Sequence, residues 1–192
     1  MILKGGMVIK AIPTRYKGYH FRSRLEARWA VFFDTAKIKW EYEPQGYVVD
    51  GVPYLPDFHL PDLHCYFEVK GSSGYDLDLL QRFAREIKRL VVVAEGQIPD
   101  PDEGTCGEEI GLQVLYPANP EGWPDGIVHD MAWGYKDMFL RCDGCDRVVI
   151  MNEVYSSMKE ACSCGDRHAR LMPLSDALSA ARAARFEHGA GV

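Results

Sequence analysis

Glu26, Asp57, Glu68 and Lys70 stand in an order that suits metal-assisted phosphodiester hydrolysis. Glu68-Val69-Lys70 closes one apolar-aromatic run, and Pro56-Asp57 falls at the end of another. Carboxylate oxygens are hard ligands that match Mg²⁺ or Mn²⁺. Such an ion polarises a scissile phosphate and lowers the pKa of a bound water. The carbonyl of Val69 could add a further oxygen ligand. Lys70 would hold the water or offset charge that develops on the phosphate oxygens. Plainer roles exist for each residue. Glu26 is the capping-box partner expected for Ser23, Asp57 after Pro56 suits a turn, and Glu-x-Lys is common by chance. The ordered combination is what points to a hydrolytic metal site.

Periodicity indicates the elements that hold these groups. Ser23-x-x-Glu26 opens a helix, whose apolar stripe is Leu25, Trp29, Phe32, Phe33 and Ala36 and whose end lies near Lys37. Ile38, Trp40 and Tyr42 alternate with charged residues as a short strand. Asp50-Gly51 is a two-residue turn between Tyr47-Val48-Val49 and Val52-Pro53-Tyr54-Leu55, and the second arm is expected to run on to Leu60. Residues 64–70 form a third strand, with Glu68 and Lys70 on one face and Phe67 and Val69 on the other. A second amphipathic helix over 76–89 leads directly into the buried-type strand 90–94, an order that predicts a parallel crossover. Residues 99–109 read as an acidic loop, 112–116 as a last strand and 117–138 as irregular chain. Ser175 is expected to cap a C-terminal helix reaching about Glu187.

The 192-residue chain carries a net charge of −6, with 47% hydrophobic and 26% charged residues. That is the composition of a globular domain with a small appendage. No run of 18 apolar residues and no export signal is visible, so the expectation is a cytoplasmic protein with no membrane partner. The charge is unevenly spread. Residues 1–28 hold seven Lys or Arg against one acid, Glu26, so this stretch is +6 and the remainder −12. Arg15-Tyr16-Lys17-Gly18-Tyr19-His20-Phe21-Arg22-Ser23-Arg24 interleaves cations with aromatics. Cations track phosphates and aromatic faces stack on unpaired bases. Lys17, Arg22 and Arg24 are therefore the expected DNA contacts, while Tyr19 and Phe21 serve equally well as core residues. Trp123 and Trp133 suit wedges at a branched substrate or the packing of a loop.

Six cysteines without an export signal do not suggest disulfides. Cys65 and Cys106 are isolated. Cys142-x-x-Cys145 and Cys162-x-Cys164 are two pairs 16 residues apart, the spacing of a structural zinc ribbon. Four thiolates would close the tetrahedron, with His168 as a reserve ligand. Gly144 would let backbone amides turn toward the thiolates. Arg141, Arg147, Arg167 and Arg170 lie around the module.

The pattern Ser23-x-x-Glu26, Tyr54-Leu55-Pro56-Asp57-Phe58 and Phe67-Glu68-Val69-Lys70-Gly71 resembles the PD-(D/E)xK nuclease superfamily. The likeness covers residues 15–95 and is strongest to small phage-encoded, structure-specific members of the RecB-type exonuclease or junction-resolving kinds and to the nuclease subunit of some transposases. It implies an α/β, restriction-endonuclease-like mixed central sheet flanked by helices, and Mg²⁺-dependent phosphodiester hydrolysis. It implies Glu26, Asp57 and Glu68 as metal ligands, Lys70 as the catalytic lysine, and Gln81 as a further polar residue on the following helix that contacts DNA. The expected organisation is a nuclease domain over 1–138, a zinc-ribbon module over 139–170, and a C-terminal helix and tail over 171–192. The expected function is a Mg²⁺- or Mn²⁺-dependent deoxyribonuclease, exonuclease or endonuclease, acting on branched DNA or free ends in phage DNA processing, recombination or repair. Such a protein would work in the host cytoplasm if phage-encoded, and as a homo-oligomer in some architectures. The alternative is a non-catalytic zinc-ribbon DNA-binding or scaffold protein on a decayed nuclease fold.

Overall fold

The computed structural model describes residues 11–71, 74–101, 112–117, 137–152, 164–165 and 169–186. Cys106, Trp123, Trp133, Cys162, Arg167 and His168 lie outside the described residues, as do Lys4 and Lys10 of the basic stretch.

The fold is mixed α/β. β1 (Thr14–Tyr16) and β2 (Tyr19–Phe21) form a hairpin that leads into α1 (Arg24–Thr35). β3 (Glu41–Tyr42) follows, then a second hairpin of β4 (Tyr47–Val49) and β5 (Val52–Tyr54). β6 (Phe58–Leu60), a 3₁₀ turn at Pro61–Leu63 and β7 (Cys65–Lys70) come next. α2 (Leu77–Ile87) crosses from β7 to β8 (Leu90–Glu95), and β9 (Leu112–Leu115) pairs beside β8. β10 (Asp137–Cys142), β11 (Val148–Asn152), β12 (Leu171–Pro173) and α3 (Ser175–Ala183) complete the described chain.

One sheet carries the order β11-β10-β9-β8-β7-β6-β3, with β12 also beside β10. β7 and β8 are parallel, as a strand-helix-strand crossover requires, and the other pairings in this sheet are antiparallel. Alternation along β7 and β8 divides the core in two. Phe67, Val69, Val92 and Ala94 pack under α1 and α3, while Tyr66, Val91 and Val93 pack under α2 and Val49 of the β4–β5 hairpin. The first core is aromatic at its centre. Trp29 lies 4.8 Å from Phe67, Phe33 lies 5.1 Å from Phe67, and Phe32 lies 5.3 Å from Phe139, measured between ring centroids. Truncating a fully buried ring of this kind costs about 3–5 kcal/mol, enough to fix the angle of α1 on the sheet.

Four differences from the sequence reading have physical causes. The arm of the second hairpin does not run on to Leu60: Pro53 lies within β5, Pro56 breaks the ladder, and β6 joins the central sheet instead. The strand expected over 38–42 shortens to Glu41–Tyr42, because Ile38 turns into the core beside Ala36. The cysteine-bearing strands are not set apart from the domain. Asp137 of β10 pairs with Leu112 of β9, and Phe139 and Leu140 are buried. The residue ahead of α3 is Leu174, and no side chain caps that helix, so Ser175 is its first residue rather than its cap. Among the described residues no helix is long and apolar enough to cross a membrane.

Candidate functional site: buried acids at the β6–β7 edge

Asp57 immediately precedes β6, and Glu68 lies on the neighbouring β7, where Phe58 pairs with Phe67. Both acids are almost fully buried, 3% and 2% exposed, and each is bound by the other's strand. The Val69 N–H donates to Asp57 Oδ2 at 2.8 Å, and the Asp57 N–H donates to Glu68 Oε2 at 3.2 Å. The Tyr54 hydroxyl donates to Glu68 Oε2 at 2.6 Å, and Lys70 Nζ meets Glu68 Oε1 at 2.5 Å. Glu68 and Lys70 thus share one face of β7, as alternation predicts. Val69 enters the site through its N–H and pairs with Ala94 of β8.

Glu26 completes the acidic set from α1. Ser23 is the N-cap: its Oγ accepts from the Glu26 N–H at 3.1 Å and donates to Glu26 Oε1 at 2.7 Å. The Tyr42 hydroxyl at 2.7 Å and the Arg22 N–H at 3.2 Å both donate to Glu26 Oε2. Ser23 thus caps the helix as expected, while the Glu26 carboxylate takes the N–H of Arg22, one residue before the cap, and the hydroxyl of Tyr42 on β3.

Arg22 joins the parts. Its Nη2 is paired with Asp57 Oδ1, its Nε lies 2.9 Å from Glu43 Oε1, and Nε is 4.0 Å from Glu26 Oε2. Glu43 sits in the left-handed region at φ 44°, and its N–H donates to the Asp57 carbonyl at 2.9 Å. A non-glycine residue there is held against a local cost of about 1–2 kcal/mol by these contacts.

The electrostatics follow from this burial. Burial pushes the Asp57 carboxyl up to about 7, with repulsion from Glu68 adding to it and the Val69 N–H opposing it. Tyr54 is raised above its ordinary value by burial and then by the charge of Glu68, so it remains a donor. Tyr42 is raised likewise by burial and its bond to Glu26. Burial alone would lower Arg22, but Asp57, Tyr42, Glu26 and Glu43 outweigh it and hold the guanidinium charged.

Two buried acids, Glu26 and Asp57, and the half-buried Glu43 meet at one cation, the Arg22 guanidinium, while Glu68 is paired with Lys70. The carboxylates of Glu26, Asp57 and Glu68 are not gathered tightly enough to chelate as a unit. Among the described residues, the set of three candidate ligands whose atoms all lie within 4.8 Å of one another is Cys142, Cys145 and Cys164.

Those cysteines could hold a metal such as zinc. The Asp146 N–H donates to the Cys142 carbonyl at 2.8 Å, and the Cys142 N–H donates to the Arg147 carbonyl at 2.9 Å. This turn needs a left-handed residue, and Asp146 supplies it at φ 60°, not Gly144. Asp143 and Arg170 exchange bonds of 3.0 and 2.7 Å, which draws the chain after Cys164 to the turn. Cys142 and Cys164 Sγ atoms are 3.8 Å apart. That matches the edge of a tetrahedron with Zn–S bonds of about 2.3 Å. The sulfur of Cys65 is elsewhere, fully buried, and burial pushes its thiol up to about 12.

The remaining predicted DNA contacts fall in different places. Lys17 pairs with Asp34 at 2.9 Å on the outer side of α1. Arg24 is half-buried on α1. Gln81 donates to the Tyr116 carbonyl at 2.9 Å, tying α2 to the chain after β9. Sequence reasoning missed the roles of Tyr42, Glu43 and Tyr54. Tyr54 carried a signal, its place just ahead of Pro56-Asp57; Glu43 carried none. No protein-family model matches this chain, and no curated protein or solved structure matches it.

Two outcomes follow from this geometry. Between the ordinary carboxylate value and about 7, folded Asp57 keeps a proton that the unfolded chain releases, so stability falls as pH rises across that window. Denaturant midpoints at pH 5 and 7.5, without added divalent cations, should show this fall, and Asp57→Asn should flatten it; an unchanged slope contradicts the assignment. The purified protein should also carry about one zinc per chain, and Cys142→Ser should remove it and lower the melting midpoint by roughly 5 °C or more. Elemental analysis that finds no zinc, with an unchanged midpoint in the variant, contradicts the thiol site.

Proposed function

We propose that the protein is a divalent-cation-dependent deoxyribonuclease of restriction-endonuclease-like architecture. The observation that carries this reading is the pair of buried acids, Asp57 and Glu68, cross-bonded at the β6–β7 edge with Lys70 on the second of them. A buried acid pair facing a charged lysine is costly unless a cation or a reaction requires it. The mixed sheet with a parallel β7–β8 crossover and a helix on each face supports the same reading.

A bound Mg²⁺ or Mn²⁺ would polarise the scissile phosphate and lower the pKa of a water. Asp57 and Glu68 supply hard oxygens for it, with Glu26 from α1. The Val69 N–H and Tyr54 hydroxyl each hold one oxygen of these two strand-side carboxylates in place. Lys70 is 25% exposed, so its ammonium reaches both Glu68 and the solvent side, where phosphate charge develops.

A polyanionic substrate fits a second feature. Ala27 and Ala30 of α1 share one core with Ala177 and Ala181 of α3, and Arg24, Arg182 and Arg185, the last just past α3, come near Arg28. Arg28 is lowered by burial and then by repulsion from these three arginines, and its buried Nε has no hydrogen-bond partner. Arg182 is paired with Asp100 at 2.7 Å, and phosphates bound at the cluster would offset the positive charge that this pair leaves. DNA, branched or with free ends, is the substrate class proposed.

Labelled linear and forked DNA incubated with the full chain should be cut in Mg²⁺ or Mn²⁺ and not in EDTA. Asp57→Asn and Lys70→Ala should each lower the rate about 100-fold or more. Absence of cation-dependent cleavage, or cleavage by Asp57→Asn at the wild-type rate, would overturn the proposal and favour a DNA-binding role without catalysis.

A further inference from the structure

The partners of the acidic oxygens differ in whether they can leave. Glu26 Oε1 is held by Ser23, and Oε2 by the Tyr42 hydroxyl and the Arg22 N–H. Asp57 Oδ2 is held by the Val69 N–H, and Glu68 Oε2 by Tyr54 and the Asp57 N–H. These donors are neutral groups fixed by backbone or by a packed ring. They orient an oxygen and do not neutralise its charge; Glu26 Oε1 and Asp57 Oδ2, with one such donor each, keep a second lone pair.

The two cations are different. Lys70 sits on Glu68 Oε1, with 25% of its side chain exposed. The Arg22 side chain is 55% exposed, yet its guanidinium reaches Asp57 Oδ1, with Glu43 on its other edge and Glu26 close by. Arg22 thus meets acids from three places in the fold: α1, the residue after β3, and the residue before β6. It is the more exposed of the two cations at this buried negative cluster. Four acids and Lys70 alone would leave that cluster strongly self-repelling.

Resting on the deoxyribonuclease reading, we propose that Arg22 is the resident counter-ion of this site. In the metal-free protein it occupies the cation position at Asp57, and it must leave for a divalent cation to bind. Two cations cannot share Asp57 Oδ1 at contact distance, because each repels the other and each needs the same lone pairs. An exposed guanidinium re-enters water readily, and once released it is free to pair with a phosphate oxygen in its two-pronged geometry. The site is then closed to monovalent competition when empty, and Arg22 becomes a substrate contact only when the site is loaded. A purely structural Arg22 would instead hold the three acids in place with or without the metal.

The test is Mn²⁺ binding to the full-length, zinc-loaded chain without DNA, followed by electron paramagnetic resonance of free Mn²⁺. Arg22→Gln should bind Mn²⁺ about tenfold more tightly than wild type, the size of a direct coupling between two ligands of one site. Arg22→Lys, which keeps the charge, should stay near wild type. In the wild-type protein, which needs no variant to fold, the Arg22 Nε–H signal should be protected from exchange by Glu43 and lose that protection as Mg²⁺ is added. Equal Mn²⁺ affinity in Arg22→Gln, or protection that Mg²⁺ does not change, overturns the proposal and leaves the cation site standing. Absence of Asp57-dependent Mn²⁺ binding in every form overturns both this proposal and the nuclease reading.

Discussion

Asp57 and Glu68 are two carboxylates buried side by side, and their mutual repulsion has to be met before the central sheet can form around them. The chain meets it at the strand edge itself. Each acid accepts the backbone N–H that the neighbouring strand presents, so the β6–β7 pairing continues through side chains where the ladder stops. A buried carboxylate without such partners would cost several kcal/mol. The flanking elements are arranged to keep this junction intact. The β4–β5 hairpin delivers the Tyr54 hydroxyl, β3 leads into the left-handed Glu43, and the capped start of α1 brings Ser23, Glu26 and Arg22.

The aromatic core fixes where those elements sit. Trp29 and Phe33 rest on Phe67, one residue before Glu68 and on the opposite side of β7. Packing on one face therefore sets the position of acids on the other. α3 packs beside α1 on the same face of the sheet, in a core that includes small residues of both, and Arg24, Arg28, Arg182 and Arg185 gather near that contact. The cysteine strands belong to the same body, since β10 pairs with β9, and Arg141 of β10 donates to the Ala36 carbonyl just after α1.

What was legible in the sequence was local. Two-residue alternation placed Glu68 and Lys70 together, and Ser23-x-x-Glu26 marked the helix start. Asp50-Gly51 gave the hairpin, with both residues at positive φ, 48° and 82°, as its turn type demands. What was not legible depends on pairing between distant segments. Nothing near Asp137 announces that it meets Leu112. The basic stretch showed a cation at Arg22 but not the Asp57 carboxylate that captures it, 35 residues on. Its charge suggested an outward-facing phosphate contact, whereas the buried acids draw it inward. The apolar pattern alone would continue the ladder past β5, but Pro56 breaks it and β6 joins the central sheet.

The most direct test of the account is the position of a divalent cation in crystals of the full chain grown with Mn²⁺, located by its anomalous scattering. The account predicts a peak bound by Asp57 and Glu68 at the β6–β7 edge, with the Arg22 guanidinium withdrawn from Asp57. A Mn²⁺-saturated crystal with no peak there, and Arg22 still seated on Asp57, would contradict it.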